Sequence, residues 1–191
     1  MPQRLTKSGV AKRQLATAIR LLFDGGDLVS IYSLATNAWE IVDALCQREG
    51  IESISNDTRN HVSPGADLKR DYINSPYRNF FKHADRDADA ELDPLPASQV
   101  DSVLFLAVED YIRLRKQAPL EFQVFQLWYL AAHPAKLIRE AFARFLEPME
   151  RIFPDLESVT REQQLEMGRK ALFEALLDPD LRSDPQTELP D

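Results

Sequence analysis

Cysteine and long apolar runs are both scarce in this chain. Cys46 is the single cysteine among 191 residues, which excludes an internal disulfide and a structural zinc cluster built from thiolates. So few thiols are typical of a reducing compartment. No apolar run approaches the roughly 18 residues that a membrane-spanning helix needs, and residues 1–9 lack the apolar stretch of a signal peptide. We therefore expect a cytoplasmic protein with no membrane association.

Positive charge is also in short supply, and it is unevenly distributed. The formal net charge is −8, which argues against a protein that coats nucleic acid non-specifically. Residues 1–23 nevertheless carry five basic side chains and no acid, whereas residues 155–191 carry ten acids and four bases. The acidity therefore lies largely near the C-terminus, and a locally positive surface remains compatible with the acidic whole.

Strand-like alternation of apolar and polar residues is nearly absent, and helical periodicity dominates. Two long periodic segments, residues 6–23 and 28–49, flank a turn at residues 24–27, where glycine ends one helix and Asp27 caps the next. Helices joined by so short a turn pack antiparallel. Further helices are predicted over residues 66–73, 97–117, 121–132, 135–153 and 161–177. The sequence therefore predicts an all-α, up-and-down helical bundle.

The length of the chain fits one domain. We assign residues 1–177 to a single helical domain whose longest irregular connection is residues 51–65. Pro148 is expected to kink or end the helix over residues 135–153. Residues 178–191 are rich in proline, aspartate and serine, and they are predicted to form a disordered acidic tail.

The segment Glu121–Ala132 is apolar on nearly every side. A helix of this kind is either central to the core or part of a protein interface. The segment is therefore the best candidate for an oligomer contact or for the binding of a protein partner.

Residues 77–85 carry the most informative pattern. A helix at about 100° per residue places the polar side chains on one face and the aromatic ones on the other. The polar face holds a guanidinium, an amide, an ammonium group and an imidazole, from Arg78, Asn79, Lys82 and His83. Arginine and lysine neutralise phosphate charge, and histidine moves protons near neutral pH. This face is the candidate site for chemistry on a phosphodiester.

The spacing in this segment resembles that of the HEPN superfamily, in which an arginine and a polar residue precede a histidine four to six positions after the arginine. Arg78, Asn79 and His83 fit that pattern. The string from Phe80 to Asp87 also looks like a signature of small, uncharacterised bacterial helical proteins. The resemblance covers residues 15–114, so the last third of the chain would form extra C-terminal helices.

The resemblance implies a helical bundle that forms a homodimer, with RNA as the partner and no cofactor. Active members resemble metal-independent ribonucleases, in which a ribose 2′-hydroxyl attacks the neighbouring phosphate. His83 would then act as the acid or base, and Arg78 would stabilise charge on the phosphate oxygens. Asn79 would orient the histidine or a phosphate, and Lys82 would make the electrostatic potential at the site more positive. A ribonuclease or an RNA-binding relative is the function implied.

Two alternatives remain open. In the first, the protein is a non-catalytic helical interaction module, in which Arg78 pairs with Asp85 and His83 caps a helix C-terminus. In the second, acidic residues between Asp85 and Asp93 alternate like the oxygen ligands of a calcium loop. Ala90 stands where that loop needs glycine. What remains is a weaker candidate magnesium or manganese site with Asp85, Asp87 and Asp89 as its ligands.

Overall fold

The fold is all-α, as predicted. The computed structural model describes residues 4–136 and 143–189, apart from the side chains of Arg86, Asp87 and Lys136. The α-helices in these ranges are α1 (Lys7–Phe23), α2 (Leu28–Glu49), α3 (Ile54–His61), α4 (Ala84–Asp87), α5 (Ala97–Arg115), α6 (Leu120–Ala132), α7 (Leu146–Ile152), α8 (Arg161–Leu177) and α9 (Pro179–Ser183). Leu68–Arg78 forms a π-helical segment, and no β-strand occurs in the ranges described. The described helices form a helical bundle, and their likeness to HEPN proteins stays a prediction.

The ends of α2 follow from local signals in the sequence. The Asp27 carboxylate accepts a hydrogen bond of 2.8 Å from the Ser30 amide and so caps the first turn. Gly50 ends the helix with φ +65°, in the left-handed region that favours glycine. A capping box opens α8, with Thr160 and Gln163 each bonding the other's backbone.

The described residues group into two compact units. Unit 1 comprises the chain up to Ala18 and residues 27–115, and unit 2 comprises residues 19–26 and 116–189. The first part of α1 thus belongs to unit 1, and its last residues belong to unit 2. The single domain assigned above to residues 1–177 stays a prediction.

In unit 1, α2 packs against α5. Both helices bury an apolar stripe, and the largest buried side chains include Trp39, Tyr32, Leu104 and Tyr111. The π-helical segment also packs on α2. It is interrupted at Ser75, whose backbone is extended (φ −101°, ψ 139°).

In unit 2, α6 is central. Phe122, Phe125 and Trp128 are fully buried, and Phe23 packs edge-on against Trp128 with ring centroids 5.5 Å apart. The all-round apolar character of this helix is therefore explained by the core of unit 2. The largest apolar side chains of Glu121–Ala132 are therefore already buried in unit 2 and would not be accessible to a protein partner.

Several elements differ from the sequence expectations. The predicted irregular connection contains α3, which Ser53 caps. Pro148 does not interrupt α7, because it lies in the first turn of that helix, where no intrahelical amide bond is lost. Part of the helix predicted over residues 135–153, residues 137–142, lies outside the described residues.

The tail also has defined backbone contacts. Residues 179–183 form α9, the Ala118 amide donates to the Gln186 carbonyl at 3.0 Å, and the Glu188 amide donates to the Ala118 carbonyl at 3.0 Å. No helix in the part of the chain described here is long and apolar enough to cross a membrane.

Candidate functional site

Arg78 is a buried, anchored cation. It ends the π-helical segment and is only 8% exposed. Its Nη1 donates to Asn74 Oδ1 at 2.9 Å, and its Nη2 donates to Glu40 Oε2 at 2.5 Å and to Asn37 Oδ1 at 3.3 Å. Its buried Nε has no hydrogen-bond partner. The guanidinium is therefore fixed in place, and one of its donors is unused.

Glu40 is the centre of this arrangement. While Oε2 accepts from Arg78, Oε1 forms an ion pair with Lys69. The hydrogen bond from Lys69 lowers the pKa of Glu40, and the hydrogen bond from Arg78 lowers it further. The carboxylate thus links α2 to the π-helical segment as a charged group.

Lys82 lies in the positive field of the same group. Its side chain is exposed, and its pKa is lowered from the usual value, first by partial desolvation and then by the positive charge of Arg78. Lys69 acts in the same direction, and Glu40 opposes them. We call Asn37, Glu40, Lys69, Asn74, Arg78 and Lys82 the Glu40 cluster.

The helix predicted through residues 77–85 ends before His83. The Lys82 amide bonds the Asn79 carbonyl at 3.1 Å in a turn, and His83 has non-helical φ −122° and ψ 47°. The predicted polar face is therefore divided. Arg78 is buried, Asn79 and Lys82 are exposed, and His83 lies beyond the helix end.

His83 is associated with Asp85 and not with Arg78. Its Nδ1 lies 4.0 Å from Asp85 Oδ1, and the two side chains are 38% and 74% exposed. No hydrogen bond or ion pair joins His83 to Arg78 among the residues described. The alternative pairing of Arg78 with Asp85 is wrong, because Glu40 occupies that role. His83 precedes α4 and does not cap a helix C-terminus.

A groove opens beside the Glu40 cluster within unit 1. It has a volume of about 440 Å³, and Asn37 and Glu40 form part of its wall. The apolar part of its lining comes from Ile41 and Leu45, and the exposed Lys7 and Arg48 add two further cations. Arg48 also pairs with the adjacent Glu49 at 2.8 Å. The groove and the cluster together carry five basic side chains around Glu40.

The partners of Arg78 were missed at the sequence level. Asn37 and Glu40 lie about forty residues before Arg78. A pattern of residues close together in the sequence therefore cannot identify them as its partners. One available signal was their position as polar residues three apart on α2, a helix that is otherwise largely apolar.

A second polar cluster is sealed inside unit 1. Trp39 Nε1 donates to Ser55 Oγ at 2.8 Å, and Ser55 Oγ donates to Asp110 Oδ2 at 2.5 Å. Burial raises the pKa of Asp110 to about 6 and that of the neighbouring Cys46 thiol to about 12. Ser55, Asp110 and Cys46 are fully buried, so this cluster is structural.

The candidate metal loop gives no ligand cluster. Among the described residues no group of three or more His, Cys, Asp or Glu side chains is arranged to hold a metal ion. Asp85 and Asp89 are exposed, and the side chain of Asp87 lies outside what is described.

Comparisons with protein-family models, with curated proteins and with solved structures found no match for this chain.

Proposed function

We propose that the Glu40 cluster and the adjacent groove bind the phosphate backbone of single-stranded RNA in the cytoplasm. The observation that carries the proposal is the concentration of Lys7, Arg48, Lys69, Arg78 and Lys82 around Glu40 and its groove in a chain of net charge −8. The choice of RNA rests on the resemblance to the HEPN pattern.

The electrostatics of Lys82 support this reading. Desolvation lowers the pKa of Lys82 most, the positive charges of Arg78 and Lys69 lower it further, and Glu40 partly opposes them. An anion that enters the same field is attracted by it, and a bound phosphate would relieve the repulsion among the three cations.

Arg78 and the exposed lysines have different roles in this proposal. Glu40, Asn37 and Asn74 hold the guanidinium in one orientation, so little conformational entropy is lost when it meets a ligand. Lys69, which pairs with Glu40, and Lys82 are both exposed and would meet the RNA backbone as point charges.

A direct test is RNA binding by fluorescence anisotropy as a function of salt. Lys69→Gln with Lys82→Gln should weaken binding and reduce the slope of log K against log salt by about 1.4, because each phosphate contact in a single strand contributes about 0.7. Lys116→Gln with Arg151→Gln removes the same charge from exposed positions in unit 2. An equal loss in that control, or no RNA binding by the wild type at low salt, would refute the proposal.

RNA cleavage is a second candidate function, and the exposed His83 beside Asp85 favours it. The Nδ1 atom of His83 lies 4.0 Å from Asp85 Oδ1, and a histidine side chain can donate a proton to the leaving 5′-oxygen. Lys82 directly precedes His83 in the sequence and would stabilise negative charge on the phosphate. Cleavage of a mixed RNA pool in chelator, with 2′,3′-cyclic phosphate ends, is expected from the wild type and not from His83→Ala. Cleavage that persists in the variant would exclude His83.

A further inference from the structure

Unit 2 exposes an apolar surface at the C-terminal end of α8. Phe173 is 64% exposed and Leu177 is 65% exposed, one turn apart on the same face of the helix. Leu176 flanks them and is also exposed. We call these three residues the α8 ridge. Large apolar side chains grouped in this way mark an interaction site more often than isolated ones do.

A groove runs along the neighbouring side of α8. Its volume is about 430 Å³, and Ala171 and Ala175 of this helix form part of its wall. Leu120, Val124 and Ile152 supply apolar lining from α6 and α7. None of the three ridge residues lines this groove, so the ridge and the groove are separate surfaces of α8.

The charges around the ridge are arranged with opposite signs at its two ends. Arg169 and Lys170 are exposed one turn before Phe173. Asp178 and Asp180 follow directly after Leu177, at the C-terminal end of α8, where the helix dipole adds negative potential. Lys170 also pairs with the exposed Glu174 (Nζ to Oε1, 4.0 Å), and the Asp178 carboxylate also accepts from the Asp180 and Leu181 amides. Arg169 is the further basic residue at one end, and Asp180 is the further acidic residue at the other.

A surface of this kind is complementary to itself. A two-fold axis between Phe173 and Leu177 would place the ridge of one copy against the ridge of a second, antiparallel copy. Arg169 and Lys170 of each copy would then face Asp178 and Asp180 of the other. We infer that this surface binds a second copy of the chain, and that the protein is a homodimer through α8. The inference is independent of RNA binding in unit 1.

Sedimentation equilibrium of the full chain over a wide range of concentration tests the inference. The wild type is expected at twice the chain mass of 21.8 kDa. Phe173→Glu with Leu177→Glu should give the monomer mass with unchanged helicity, because both side chains are already exposed in one copy. Leu5→Glu introduces one such charge at a side chain that is 73% exposed in unit 1, and it should leave the dimer intact. A monomeric wild type, or a dimer that survives the ridge substitutions, would overturn the inference.

Charge reversal tests the orientation of the two copies. Arg169→Glu with Lys170→Glu should weaken the dimer, and so should Asp180→Lys. A mixture of the two variants should recover a heterodimer, because each basic end would again face an acidic one. Failure of the mixture to associate, when each variant alone has lost its dimer, would refute the antiparallel arrangement.

Discussion

Gly168 in α8 lies directly against the ring of Phe23. A Cβ at position 168 would come within 2.4 Å of Phe23 Cε1 and within 2.5 Å of Cδ1. The ring cannot easily withdraw, because Phe23 is 2% exposed and also contacts Trp128 and Phe125. Glycine is therefore required here by packing between two parts of unit 2 that are distant in sequence.

Gly168→Ala is expected to destabilise the protein. Overpacking of a core costs about 1–3 kcal/mol, and the better helix propensity of alanine offsets about 1 kcal/mol of that. Chemical denaturation should show an unfolding free energy lower by up to about 2 kcal/mol. Combining the change with Phe23→Leu should cost less than the sum of the two single changes. A more stable Gly168→Ala variant would contradict the contact.

The buried Asp110 predicts a pH-dependent stability. Its pKa is about 6 in the folded protein, raised by burial from the ordinary value of 3.8. Folding therefore favours its protonated form, so its contribution is fully present below about pH 4 and is lost as the pH rises through about 6. The size of the effect is roughly 3 kcal/mol.

Asp110→Asn isolates this effect. The wild-type unfolding free energy, relative to that of the variant, should fall between about pH 4 and pH 6 and stay level above that range. Glu91→Gln, at an exposed loop position, serves as the control and should leave the wild-type pH profile unchanged. Parallel profiles for the wild type and Asp110→Asn would exclude the titration of Asp110 in this range.

Glu40→Gln should change the stability of the protein and its affinity for RNA in opposite directions. The change removes the charged partner of the buried Arg78, and it should lower the unfolding free energy by roughly 1–3 kcal/mol. Glu40 is 38% exposed, so the cost is smaller than for a fully buried pair.

The same change removes the carboxylate from the proposed RNA site. RNA affinity measured by anisotropy should therefore rise while the melting temperature falls. Glu91→Gln makes the same change in charge in the loop between α4 and α5 and should alter neither property. If Glu40→Gln weakens RNA binding, then the orientation that Glu40 gives to Arg78 outweighs the repulsion between its carboxylate and the phosphate.

Deletion of residues 184–191 is expected to expose the backbone at Ala118. The deletion removes the carbonyl of Gln186 and the amide of Glu188, which both bond Ala118. It also removes the Thr187 hydroxyl, which accepts from Gln123 at 3.0 Å. Hydrogen exchange should show a protected Ala118 amide in the full chain and a fast one in the truncated chain. Equal exchange in both would restore the prediction of a disordered tail.

The helix ends were predictable where a local interaction defines them. Asp27 and Gly50 bound α2, and Thr160 bounds α8, because capping uses residues within one turn of the helix end. By contrast, α3 has few apolar residues and many turn formers, so periodicity does not reveal it.

The candidate site was predictable only in part. Arg78 and Lys82 were identified from their spacing, and the structure brings both into the Glu40 cluster. The separation of His83 was not predictable, because the polar pattern continues to His83 while the backbone leaves the helix at residues 81–82. Tyr77 and Phe81 pack against Tyr32 with ring centroids 6.3 and 6.2 Å away, and such tertiary contacts override local propensity.

The composition of unit 2 has a consequence for the order of folding during synthesis. The unit combines residues 19–26 with residues 116–189, and its Ala118 bridge uses Thr187 and its neighbours. On the ribosome, unit 1 has all of its chain once residue 115 has emerged, so it can form first. The end of α1, including Phe23, must then wait for Phe125, Trp128 and Gly168, which are all synthesised after unit 1. Early release of the chain would leave that ring exposed, and a truncated product would be a natural target for chaperones and proteases.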